Sequence, residues 1–113
     1  MDAVLRFLRL DDELVQVAHK KGWDINPTVR GGGHNVVLSS ASTFGQQVEE
    51  VERFIRNEMS FLAEIQSRCD DSEIDFGIDW GEAHPVSNHR FTPRLLQLLA
   101  QLQITLNVST YRS

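Results

Sequence analysis

The sequence predicts a two-layer α/β sandwich in which three helices cover one face of a four- or five-stranded sheet, mixed or antiparallel. Some segments alternate apolar and polar residues, as strands with one buried face do. Between them lie segments whose apolar residues recur at helical spacing. The alternating segments also keep a polar side, whereas strands of a fully parallel sheet are buried on both faces. The predicted element order is β-α-β-α-β-α-β, and the order of strands within the sheet does not follow from these patterns.

The first elements predicted are a strand over Ala3–Leu10 and a helix over Asp12–Lys21. The acidic residues at the start of that helix suit its positively polarised end, and Gly22 suits its termination. Three consecutive glycines, Gly31 to Gly33, predict a flexible connection or a hairpin. A phosphate-binding loop is disfavoured because the segment that follows, His34–Ser39, is a second predicted strand and not a helix.

The longest predicted helix runs over Phe44–Arg68. Thr43 and Gln46 have the spacing of a capping box, and the wide apolar stripe that follows is typical of a helix packed on a sheet. Cys69 comes next, and we expect an unreactive, partly buried thiol because Asp70 and Asp71 oppose a thiolate. A third strand is predicted over Glu73–Trp80, with Ile74, Phe76, Ile78 and Trp80 on its buried side.

The last two predicted elements are a helix and a strand separated by a single residue. Thr92 caps the helix, Pro93 occupies its first position, and Leu102 ends it. The strand covers Ile104–Ser109. Because so tight a helix-to-strand connection favours glycine, we expect backbone strain at Gln103 or an extra frayed residue.

Length and composition bound the function. The 113 residues form one globular domain, 1–113, with 41% hydrophobic and 24% charged residues. The formal net charge of -5 argues against a nucleic-acid ligand, which requires a basic surface. The sequence shows no membrane span and no signal peptide, and it has one cysteine, so we expect a cytoplasmic protein without membrane association.

Acidic residues follow the side of the third strand that we expect to be exposed. Alternate side chains on one side of a strand lie about 7 Å apart, a spacing that suits simple solvation, a shared cation or a basic protein surface. We predict a partner-binding surface there, with Trp80 or Trp23 as an apolar anchor. Its acidic members are Glu73, Asp75, Asp79 and Glu82.

No residue pattern predicts a catalytic site, a cofactor or a metal. The serines lack a nucleophile motif, and the spacing of His84 and His89 matches no zinc site. A competing hypothesis is a small metal-dependent or hydrolytic module that uses these histidines with His34 and Cys69. It requires at least two of the four side chains to converge in a pocket.

Several packing patterns resemble those of small bacterial domains of unknown function. They are Leu14 with the segment Gly22–Pro27, the helix Leu95–Leu102, the strand that starts at Ile104-Thr105-Leu106, and Tyr111. The resemblance spans most of the chain and implies no catalytic residues. Small acidic proteins of this kind also resemble immunity proteins, which shield bacteria from toxins by covering the toxins' active sites.

We therefore predict a non-enzymatic bacterial protein that binds another protein, with a basic toxin as the most specific expectation. Self-association through the edge of the sheet, giving a homodimer, is a third alternative because the last strand is short, neutral and terminal.

Overall fold

The protein's structure, a computed structural model, describes residues 2–80 and 89–112, and for residues 79, 80 and 112 it describes the backbone only. Within these ranges the chain forms five strands and four helices. In chain order they are β1 (Ala3–Leu8), α1 (Asp12–Lys20), β2 (Ile25–Pro27), β3 (Gly33–Ser39), α2 (Phe44–Asn57), α3 (Met59–Arg68), β4 (Asp71–Trp80), α4 (Pro93–Leu102) and β5 (Thr105–Arg112). No helix in these ranges is both long enough and apolar enough to cross a membrane.

The five strands form one mixed sheet with the order β2-β3-β1-β4-β5. Neighbouring strands are antiparallel except β4 and β5, which are parallel and are connected through α4. The predicted combination of helices with one sheet is thus confirmed, and of the predicted alternatives the sheet has five strands and is mixed. The first strand of the chain lies in the middle of the sheet, between β3 and β4.

Two features differ from the prediction: the described residues form four helices and not three, and their elements follow the order β-α-β-β-α-α-β-α-β. The additional strand, β2, has only three residues and includes Pro27, so it carries no alternating pattern. The long helix is divided at Glu58, whose φ of -117° and ψ of 20° lie outside the helical region. The apolar stripe continues across this break, so periodicity alone does not reveal it.

The ring of Trp23 packs against both helices that meet at the break. Trp23 is buried, and its ring centroid lies 5.0 Å from that of Phe54 on α2 and 5.0 Å from that of Phe61 on α3. Trp23 therefore contacts one aromatic residue on each side of the break at Glu58. Lys21 pairs with Glu58 at 3.1 Å and lies over the Phe61 ring, which adds to the same junction.

Helix ends follow the local signals in the sequence. Thr43 accepts a hydrogen bond from the backbone N–H of Gln46, and Thr92 accepts one from Leu95, as predicted for these two caps. Asp11 accepts one from Leu14 in the same way. At the other end of α4, Gln103 adopts the left-handed conformation with φ 57°, which confirms the expected strain.

The glycine run serves the hairpin that joins β2 to β3. Gly31 and Gly32 have φ values of 76° and 81°, which side chains disfavour. Gly33 has a different reason: a Cβ at this position would lie 2.8 Å from the backbone oxygen of Phe7 on the adjacent strand. The prediction of a hairpin is therefore confirmed. The predicted first strand ends earlier, at Leu8, because Arg9 also has a left-handed φ of 58°.

One side of the sheet supplies the core. The alternate residues Ala3, Leu5 and Phe7 of β1, together with Ile74 and Phe76 of β4, are buried. They belong to a single cluster to which every described helix contributes apolar side chains, such as Leu14, Val51, Leu62 and Leu99. These four helices therefore cover one face of the sheet, and the alternate residues of the strands point to the opposite face.

Candidate functional site: the open face of the sheet

The face of the sheet opposite the helices, here named the open face, combines charged, aromatic and apolar side chains from four strands. Residues paired across strands lie on the same face, so the strand registers identify its members. They are Val4, Arg6, Leu8, Asn35, Val37, Asp71, Glu73, Asp75, Asn107, Ser109 and Tyr111. The described helices bury their apolar residues on the other face.

An ion-pair network lies at the centre of the open face. Nη1 of Arg6 donates to Oδ2 of Asp75 at 2.9 Å and to Oε1 of Glu73 at 3.2 Å. Oγ of Ser109 lies 2.9 Å from each carboxylate oxygen of Asp75, so the network links β1, β4 and β5. The hydrogen bond to Asp75, followed by the one to Glu73, raises the pKa of Arg6 although partial burial opposes the shift. The guanidinium therefore stays charged.

The burial of Asp75 corrects the prediction of a fully exposed acidic ladder. Asp75 is only 5% exposed, although it lies on the polar side of β4. Arg6 and Ser109 cover it from the two neighbouring strands. Glu73 agrees better with the prediction, because its side chain is 36% exposed despite its contact with Arg6. Glu73 is therefore accessible at the surface, whereas Asp75 is covered by its neighbours.

Two open depressions flank Arg6. One, of about 320 Å³, is lined by Asp2, Val4, Arg6, Asp75, Gly77 and Tyr111. The other, of about 260 Å³, lies beside the β2–β3 hairpin, and its lining includes Gly32, Asp71 and Glu73. The carboxylates in both depressions disfavour an anionic ligand, including a phosphate beside the glycines.

The open face is acidic and partly apolar. Asp2 belongs to the open face as well, since it lines the larger depression with Val4 and Asp75. The carboxylates of Asp2, Asp71, Glu73 and Asp75 and the guanidinium of Arg6 give these five residues a formal net charge of -3. Large apolar side chains surround the ion pairs: Leu8 is 47% exposed and Tyr111 is 52% exposed, and Val37 is also exposed. The face thus combines exposed apolar side chains with excess negative charge.

The serine in this network lacks the partner that nucleophilic catalysis requires. A serine nucleophile needs a base, most often histidine, within hydrogen-bond reach. Ser109 instead donates to Asp75. Among the described residues no histidine shares its face: His34 pairs with Phe7 on the helix side, and the ring of His89 packs against Phe44. Among the described residues, Ser109 therefore has a carboxylate and not a histidine as its hydrogen-bond partner.

Several predicted residues lie elsewhere. Trp23 is buried between two helices, so the suggestion that it anchors a partner is wrong. Asp79 is in register with Tyr111, at the end of β4 beside the open face, and Trp80 follows it. The side chains of Asp79 and Trp80 lie outside the described part of the structure. So do all atoms of Glu82 and His84.

The described residues of the competing metal or hydrolytic hypothesis lie on different parts of the fold. His34 lies on β3, His89 contacts Phe44 at the start of α2, and Cys69 follows α3 with its Sγ near Gln66. No group of three or more potential metal ligands occurs among the described residues. The described residues therefore give this hypothesis no support.

Sequence reasoning did not identify Arg6, Ser109 and Tyr111 as members of the site. For Arg6 a signal existed, because alternation from Ala3 to Phe7 places it on the side away from the buried residues. Its contact with Glu73 and Asp75 depends on strand order, which local patterns do not provide.

In comparisons with known proteins, no family model, curated protein or solved structure matches this chain.

Proposed function

We propose that this protein acts by binding another protein through the open face of its sheet, and that the partner presents a basic surface. The observation that carries the proposal is the composition of this face: a net charge of -3 over five residues, combined with exposed Leu8, Val37 and Tyr111. Charge complementarity accelerates encounter and selects the partner, while apolar and aromatic contacts supply most of the affinity.

The ion-pair network supports this proposal because it holds the charged groups in place before binding. Asp75 orients Arg6 and is itself held by Ser109, so Glu73 receives a hydrogen bond from a fixed guanidinium. A group that is already ordered loses less conformational entropy on binding than a free surface side chain. Arg6 and Glu73 are each about one-third exposed and remain accessible to a partner.

In its most specific form, the proposal is that the partner is a basic toxin whose active site this protein covers, as an immunity protein does. The acidic open face, the net charge of -5 and the small size of the chain support this form. A toxic enzyme that acts on nucleic acid presents a basic active-site surface, because it must bind phosphates. An acidic protein can occupy such a surface by charge complementarity.

The test is affinity capture with the tagged protein from the cells that produce it, followed by binding measurements with each captured protein. Capture alone does not support the proposal, so three proteins are compared. One is the wild type. The second carries Asp2→Lys with Asp71→Lys on the open face, and the third carries Glu49→Lys with Glu64→Lys on α2 and α3, which changes the net charge equally.

We expect the open-face variant to bind at least about tenfold more weakly than the helix variant, with affinity that falls as salt increases. Tyr111→Ala should also weaken binding, because it removes the largest exposed side chain of the face. Equal binding by both charge-reversed variants would contradict the proposal. For the toxin form, equimolar wild type should abolish the partner's enzymatic activity, and unchanged activity would reject that form only.

A further inference from the structure

The two outer strands of the sheet differ in how well they are protected. An edge strand presents unpaired backbone N–H and C=O groups, and proteins protect such edges by keeping the strand short or by placing proline or charged residues in it. The edge strand β2 has three residues and contains Pro27. The opposite edge strand, β5, has eight residues, Thr105–Arg112, and pairs with β4 on one side only.

The edge strand β5 carries almost none of these protective features. It contains no proline, and Arg112 at its end is its only charged residue. No strand among the described residues pairs with its outer edge. Val108 is 41% exposed although its partner in register, Phe76, is fully buried in the core. An exposed, uncharged strand of this length is a template for pairing with another strand.

We propose that β5 pairs antiparallel with β5 of a second copy of this chain, about a two-fold axis near Val108, to form one continuous ten-stranded sheet. Such an interface is self-complementary, because a two-fold axis presents the same strand from both sides. With the axis at Val108, this residue faces its own copy, Leu106 faces Thr110, and Asn107 faces Ser109. Each of these pairs is uncharged.

Charge does not oppose a second copy at this edge. The chain has a net charge of -5, and repulsion between two copies is smallest where the facing side chains are uncharged, as they are around Val108. Across the proposed interface the nearest described carboxylates of the open faces belong to β4 of each copy. These two strands are three strand spacings apart, or about 14 Å, which exceeds the Debye length of about 8 Å at physiological salt.

The same geometry predicts that assembly stops at two chains. Pairing of the two β5 strands consumes both unprotected edges, and the remaining outer strands are the two short β2 strands with Pro27. A closed two-fold contact also leaves no free copy of the interface. Because the axis is perpendicular to the sheet, both open faces lie on the same side of the dimer. The inference is independent of the proposed partner.

The test is sedimentation velocity over a wide series of protein concentrations, with hydrogen exchange of the β5 amides measured in parallel. We expect a monomer–dimer equilibrium and stronger protection of Thr105–Arg112 at high concentration. Val108→Lys places two ammonium groups at the axis and should raise the dimer dissociation constant at least about tenfold. Thr110→Lys, at an exposed position, should act in the same direction without disturbing the fold.

Asn26→Lys on β2 is the matched control, because it adds the same charge to the other edge of the sheet, and it should leave the dissociation constant unchanged. Far-UV circular dichroism verifies that each variant is folded. A wild type that stays monomeric at every concentration would overturn the proposal. So would a dimer that both β5 variants leave intact, or growth beyond two chains.

Discussion

Gln103 holds a backbone conformation that its side chain disfavours. With φ 57° and ψ 38° it ends α4 in the left-handed region, where glycine has no steric penalty. We expect Gln103→Gly to raise the free energy of unfolding by about 1 kcal/mol, measured by urea denaturation. Gln101→Gly, inside the same helix, should lower it by about 1 kcal/mol. Destabilisation by both substitutions would show that Gln103 is not strained.

Cys69 is the second residue whose local surroundings predict a measurable property. Burial raises the pKa of its thiol, and the charges of Asp71 and Asp70 act in the same direction, although a hydrogen bond to the Asp71 carbonyl opposes them. Because folding raises the pKa of this thiol, its contribution to the free energy of unfolding is fully present below the pKa of the unfolded chain. That contribution is lost as the pH rises through the pKa of the folded protein.

We therefore expect alkylation of Cys69 to be slow at neutral pH, with a rate that reaches its midpoint at a higher pH than for an exposed cysteine. The control is Ser60→Cys in a Cys69→Ser background, since Ser60 is exposed on α3. Rates are followed by mass spectrometry across a pH series under native conditions. Equal midpoints for the two thiols would contradict the assignment.

At the scale of elements, the contact between β1, β4 and β5 depends on Asp75. Its carboxylate accepts hydrogen bonds from Arg6 and Ser109 while almost fully buried, whereas Glu73 shares the same Arg6 from a half-exposed position. We expect Asp75→Asn to lower the free energy of unfolding by about 2 kcal/mol and Glu73→Gln by less than about 1 kcal/mol. Comparable losses, measured by chemical denaturation, would mean that burial does not distinguish the two pairs.

Elements with a long, periodic pattern were predictable, and elements defined by tertiary contact were not. The threonine caps and the amphipathic stripes define where α2 begins and both ends of α4, so these three helix ends lie where the sequence indicates. The strand β2 has three residues and exists because β3 lies beside it. The break at Glu58 interrupts an apolar stripe that continues from α2 into α3, so the local periodicity does not contain it.

In the whole molecule, the order of the strands determines which side chains form the candidate site. Alternation in β4 identified which residues face away from the core, and Glu73 is indeed accessible there. Burial of Asp75 depends on β1 and β5 being the neighbours of β4. This strand order brings Arg6 to Glu73 and Asp75, which follow it by 67 and 69 positions in the sequence. A local pattern identifies the face of a strand, but only the assembled sheet shows which side chains remain available to a partner.

The position of β5 as the last and outermost strand has a consequence for the nascent protein. The ribosome synthesises the four antiparallel strands β1, β2, β3 and β4 before α4 and β5. Until β5 is present, the ten-residue strand β4 is itself an edge strand of the sheet. Asp71, Glu73, Asp75 and Asp79 place negative charge along it, and charge of this kind hinders aggregation. We therefore expect these carboxylates to protect the incomplete sheet before β5 covers the edge of β4.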